Sequence, residues 1–174
     1  ITIGGGGHAA LLGGYVSNEG IVTAKLGKIA LGAGEKITLD LVGDGLMTVS
    51  VPNYQLNAVR DINGKTLKSI VSNSGTLKAN GGIIKLSAAT ARNLTRNTVN
   101  IGSTGSIIAK TVRSKPGKVV IGTPTTNSVR IAGNIDVSSS KTSLSPSGKV
   151  IIKGRRITHS GNIYANGAFG GKID

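Results

Sequence analysis

Residues 71–86 read VSNSGTLKANGGIIKL, and residues 16–31 read VSNEGIVTAKLGKIAL. The two stretches align without a gap and share eight of sixteen positions: Val, Ser, Asn, Gly, Ala, Gly, Ile and Leu. A reduced form of this text, glycine followed by alternating aliphatic residues, recurs as GIVTA (20–24), GLMTV (45–49), GTLKA (75–79), GSIIA (105–109), GNIDV (133–137) and GNIYA (161–165). Successive glycines stand 25, 30, 30, 28 and 28 residues apart, which places the two opening stretches two periods from each other. A fixed period of this size marks a repeat architecture.

A second element follows most copies of the first: GKIAL (27–31), GIIKL (82–86), GKVVI (117–121), GKVII (148–152) and, cut short, GKID (171–174). A looser third strand reads ITLDL (37–41), VRI (129–131) and RIT (156–158). Each element alternates with period two, so one set of side chains points inward and the other outward. Glycine ahead of a strand permits a positive φ or a close backbone approach at the corner. One coil of three short strands cannot bury its apolar face alone, whereas stacked coils can, each pairing its backbone with the next at a spacing of ~4.8 Å. The expectation is one all-β domain over 1–174, a parallel β-helix of about six coils with roughly 28 residues each. Val22, Met47, Leu77, Ile107, Ile135 and Ile163 form one inward column, and Ile29, Ile84, Val119 and Val150 a second. Lys78 and Lys85 fall on outward positions, free to meet a partner. Two stretches break the pattern, 53–70 and 88–98, and are expected to form a short helix or a protruding loop, where binding groups on a rigid scaffold often reside.

Composition agrees with a regular stack of small branched side chains. There are 27 glycines against 4 prolines, no Trp, and only Tyr15, Tyr54, Tyr164 and Phe169 as aromatics. The absence of cysteine excludes disulfides and thiolate metal sites. No apolar run is long enough to span a bilayer. The chain opens on ITIGGGG without a charged leader or an initiator Met, and is expected to be a fragment or processed segment of a larger repeat protein.

Net charge is +14, from 21 Lys and Arg against 7 Asp and Glu. This raises the expectation of an anionic partner, although scattered cations also keep a β-rich surface soluble. The densest basic groups are KTVRSKPGK (110–118) and KVIIKGRR (149–156). On stacked coils Lys110, Arg113, Lys115, Lys118, Lys149, Lys153, Arg155 and Arg156 could align as a stripe facing an anionic polymer. Sequence-specific nucleic-acid recognition is not expected, because no motif and few stacking aromatics support it. Candidates for chemistry are sparse. His8 and His159 lie in different repeats, and no cofactor or metal is implied. Asp40 and Asp44 form the only close acid pair; Asp44-Gly45 reads most simply as a turn, and a hydrolase would need facing carboxylates. The glycines at 4–7 lack the Gly-Lys-Ser/Thr continuation of a phosphate loop and read as a repeat turn.

At residues 15–51 (YVSNEGIVTAKLGKIALGAGEKITLDLVGDGLMTVSV), 71–109 and 133–173 the text resembles filamentous haemagglutinin-type exoproteins of two-partner secretion systems. The resemblance covers nearly the whole chain. It implies a right-handed β-helix, secreted to the surface of a Gram-negative bacterium through an outer-membrane β-barrel transporter. The family's amino-terminal Asn-Pro-Asn-Gly-Ile-type secretion motif is missing here. Such proteins act in adhesion, biofilm formation or as stalks, and their shared motif residues are structural, so no binding residue carries over. The expected function is therefore a non-catalytic structural or adhesive segment, meeting host-cell or matrix glycans or proteins and stacking end to end into a fibre. The alternatives are a polyanion- or glycan-binding module using the basic stripe and, as a minor option, a β-helical carbohydrate-active enzyme.

Overall fold

The computed structural model describes residues 1–34, 36–39, 47–50, 60, 63–64, 66–88, 97–122, 126, 128–140 and 144–174. Among them every regular element is a β-strand. Three parallel sheets account for all but two of the strands. Sheet 1 stacks Thr2–Ile3, Ile21–Ala24, Thr76–Lys78, Ser106–Ile108, Asn134–Asp136 and Asn162–Tyr164. Sheet 2 stacks His8–Gly13, Lys28–Ala33, Ile83–Ala88, Lys118–Ile121, Lys149–Ile152 and Lys172–Ile173. Sheet 3 stacks Val16–Asn18, Ser69–Asn73, Asn97–Ile101, Ser128–Ile131 and Arg156–His159. The chain visits the sheets in the order 1, 2, 3 and then begins the next coil. This is a parallel β-helix of six coils.

The two opening stretches are neighbours, one coil apart rather than two. Val16 pairs with Val71, Asn18 with Asn73, Ile21 with Thr76 and Ile29 with Ile84, all at the same offset of 55. Direct stacking accounts for their shared text. Of the eight identities, Val, Asn, the second Gly, both copies of Ala, Ile and Leu are buried in each coil, and the differences fall mainly on outward positions. The added length between the copies holds an antiparallel hairpin, Lys36–Leu39 with Met47–Ser50, in which Leu39 faces Met47 and Lys36 faces Ser50. Met47–Val49 of the GLMTV copy therefore belongs to the return strand of a hairpin, and Met47 leaves the inward column. Ile37–Leu39 of the ITLDL segment belongs to the outgoing strand and not to a third sheet strand. Local alternation looks the same in a coil and in a hairpin, so period two could not separate them. The sixth coil is instead the first one, opened by Thr2–Ile3. Of the two irregular stretches, 53–59 and 89–96 lie outside the described residues. Arg60 and Thr66 form an antiparallel bridge, and Ser69, Ile70, Asn97 and Thr98 already belong to sheet 3.

The core consists of columns along the stack. Val22, Leu77, Ile107, Ile135 and Ile163 are in register on sheet 1, and Ala9, Ile29, Ile84, Val119, Val150 and Ile173 on sheet 2. All are buried except Ile163 and Ile173, which belong to the last coil. Sheet 3 adds Val16, Val71, Val99 and Val129.

One inward column changes chemistry part-way. Asn18 and Asn73 occupy positions that Ile101 and Ile131 fill in later coils. Asn18 donates from Nδ2 to Asn73 Oδ1 at 2.7 Å and to the Gly20 carbonyl at 3.2 Å, and Asn73 donates to the Gly75 carbonyl at 3.1 Å. The amides thus satisfy each other and the corner that follows. Asn73→Ala is expected to cost about 1–3 kcal/mol, because it strips partners from buried polar groups. Chemical denaturation of the variant beside the parent measures it.

Candidate polyanion-binding groove

The second repeat element places a residue on the outer face of sheet 2 immediately after a glycine. Register aligns His8, Lys28, Ile83, Lys118, Lys149 and Lys172 in one outward column. Because Val119, Val150 and Ile173 point in, the preceding lysines must point out. Lys118, Lys149 and Lys172 are consecutive, stepped by ~4.8 Å from coil to coil. They line a groove of about 400 Å³ together with Ile83, Pro116 and Pro146.

One carboxylate already sits on this column. Asp174 Oδ2 lies 2.6 Å from Lys149 Nζ and Oδ1 lies 3.2 Å from Lys172 Nζ, so a single anion bridges lysines of successive coils. The Lys149 contact, aided by Lys172, holds the Asp174 carboxyl below its ordinary value of 3.8. Lys118 forms no ion pair among the described residues.

The other cations of the expected stripe are dispersed. Lys110 sits on the turn after sheet 1 and pairs with Asp136 at 2.9 Å. Arg113 and Ser114 occupy the tip of a tight turn closed by reciprocal Val112 and Lys115 backbone bonds of 3.0 and 2.9 Å, with φ of 46° and 62°. That left-handed pair suits an I′ turn, which usually carries Asn-Gly. Arg113 and Lys115 are exposed there. Lys153 and Arg155 lie on the corner between sheets 2 and 3, and Arg156 opens the last strand of sheet 3. Of the eight, only Lys118 and Lys149 share the groove. Lys172, which the GKID copy of the repeat signals, completes the column.

Lys85 corrects a further expectation. It points outward in register with Val120, but it is only 5% exposed. The Met47–Ser50 strand lies against Lys28–Ala33 and Ile83–Ala88, and Ala30, Ser87 and Val120 on that outer face are buried as well. Lys78 remains exposed, on the outer face of sheet 1. His8 heads the lysine column, whereas His159 ends the inward column of Ile131 on the exposed last strand. Asp40 and Asp44 lie outside the described residues.

Asp136 is the other carboxylate with a defined setting. Partial burial pushes its carboxyl upward, but the Ser138 N–H, at 2.9 Å, and the Lys110 ammonium outweigh this and hold it below 3.8. A depressed folded-state value means the ionised form contributes stability at neutral pH, and the contribution fades as pH falls below about 4 through the folded value. Asp136→Asn is therefore expected to lower stability slightly at pH 7, the loss kept small because the pair is partly solvent-exposed, and to converge with the parent as pH falls below ~4, which flattens the acid limb of the stability–pH curve. Urea titrations across that range check it.

No helix among the described residues is long and apolar enough to cross a membrane. Comparison with protein-family models, with curated proteins and with solved structures finds no match for this chain.

Proposed function

We propose that this chain is a non-catalytic β-helical segment of a secreted surface protein, structural and adhesive in role. The observation that carries the reading is the continuous inward column of six stacked coils, buried from Ala9 to Val150, which builds a stiff rod. The resemblance to filamentous haemagglutinin-type exoproteins supports the same role. It also supports export through an outer-membrane β-barrel transporter to the surface of a Gram-negative bacterium. At one end the strand Arg156–His159 is exposed along its length, and Ile157 and Ile173 are about half exposed. Such an edge can accept a further coil, from the same chain or from another copy. Beads coated with the protein are expected to adhere to cell or matrix surfaces, and electron microscopy at high concentration to show rods lengthening at constant width. Beads that adhere no better than uncoated ones, together with a monodisperse monomer, would speak against this role.

The lysine column favours a second reading, a polyanion-binding face. Binding to anionic polymers should then weaken steeply with salt, because bound counterions are released on association. Affinity indifferent to ionic strength would rule that face out.

A further inference from the structure

We infer that the groove over Lys118, Lys149 and Lys172 selects linear polysaccharides with one carboxylate per sugar ring, that is, polyuronates. The inference rests on the polyanion reading and narrows it from net charge to a particular anion geometry. Asp174 displays that geometry: one planar carboxylate, each oxygen taking one lysine, spanning two coils. One coil earlier, the register that joins Val150 to Ile173 sets Ile151 opposite Asp174. The Lys118–Lys149 step therefore lacks an internal carboxylate at the equivalent position, and a ligand carboxylate is placed to bridge it.

The cations present argue for carboxylates over phosphates. Among the described residues the cations of the groove are lysines only, each a point charge that engages a single oxygen, and the guanidinium forks suited to phosphate, Arg113, Arg155 and Arg156, lie elsewhere. Among the described residues no aromatic side chain lines the groove to stack nucleobases. Pro116, Pro146 and Ile83 instead offer small apolar surfaces between the charges, against which sugar-ring faces can rest. A polyuronate lying along the stack meets one lysine per coil, with a carboxylate on every ring.

Calorimetric titration of the whole chain at fixed ionic strength tests this, using polygalacturonate, heparin, polyglutamate, single-stranded DNA and neutral dextran as probes. Polygalacturonate is expected to bind tightest at equal charge. Lys118→Met, which keeps the stem and removes the charge, should weaken it roughly tenfold. Arg155→Met, away from the groove, should have a much smaller effect. Asp174→Asn removes the internal competitor and should tighten binding. Thermal melts establish that each variant is folded. Heparin or DNA binding as tightly as polygalacturonate, with the groove variants still impaired, would overturn carboxylate selectivity and leave the polyanion reading standing. Equal binding of polyglutamate would overturn it in favour of acidic peptides. Equal losses from Lys118→Met and Arg155→Met would overturn the groove as the site. No binding by any probe would remove both readings.

Discussion

Ile107→Ala is expected to destabilise the protein by ~2–5 kcal/mol. Ile107 is fully buried in the fourth coil and stands between Leu77 below and Ile135 above in one inward column. Removing its side chain takes away transfer free energy and leaves a cavity whose walls are β-sheet columns. Those walls are fixed by backbone pairing on both sides, so they can collapse little. For a chain of this length the loss corresponds to a melting temperature lower by ~5–15 °C. Ile163→Ala in the same column should cost much less, since Ile163 is only partly buried. Thermal melts of the two variants compare a central with a terminal member of one column.

Gly82→Ala is expected to cost about 3 kcal/mol or more, although it adds only one methyl group. The glycines opening the sheet 2 strands stack on one another, and a Cβ at Gly82 would fall on the carbonyl oxygen of Gly27 in the preceding coil. That oxygen accepts the Ile83 N–H at 3.0 Å, so relief would require moving a backbone ladder bond. Gly82 has no positive φ, and the demand for glycine here is for close approach alone. The same holds in sheet 1, where a Cβ on Gly133 would meet the Gly105 carbonyl. Gly20→Ala is the matched control. It belongs to the same motif, but open space surrounds its Cβ direction and its effect should be small. Denaturant midpoints of Gly82→Ala and Gly20→Ala should differ widely, and equal midpoints would argue against the stacked corners.

The inward columns were legible because period-two alternation and a glycine before each strand are written in every coil. Leu77, Ile107, Ile135, Ile84, Val119 and Val150 are all fully buried where the alternation put them. What alternation could not convey is connectivity. GLMTV at 45–49 has the local form of a coil strand, yet its Met47–Val49 returns antiparallel to Lys36–Leu39, and the Asp44-Gly45 pair was the available sign of a hairpin in the sequence. Nor does alternation say whether an outward face stays open. Lys85 points out of its own strand and is covered all the same. The Asn18–Asn73 pair was visible as shared text, but its place inside the stack depends on which coils touch. In the groove, the lysines were legible from the Gly-Lys repeat. Their separation from Lys110, Arg113 and Lys115 was not, because those residues lie on a corner whose path depends on a turn with two left-handed residues.

Residues 16–31 and 71–86 lie in adjacent coils, and a designed disulfide probes that contact. The chain contains no cysteine, so a Ser17→Cys, Ser72→Cys pair introduces the only two thiols. The two serines face each other across sheet 3 on directly paired strands, within the Cα separation of roughly 4.4–6.8 Å that a disulfide bridges. Mild oxidation of the folded protein is expected to close an intramolecular bond, read as a mass loss of two hydrogens and a raised melting temperature. If an intervening coil separated them, the cysteines would stand ~10 Å apart, beyond bridging. Thiols that stay free in the folded monomer under oxidant would contradict the stacking described here.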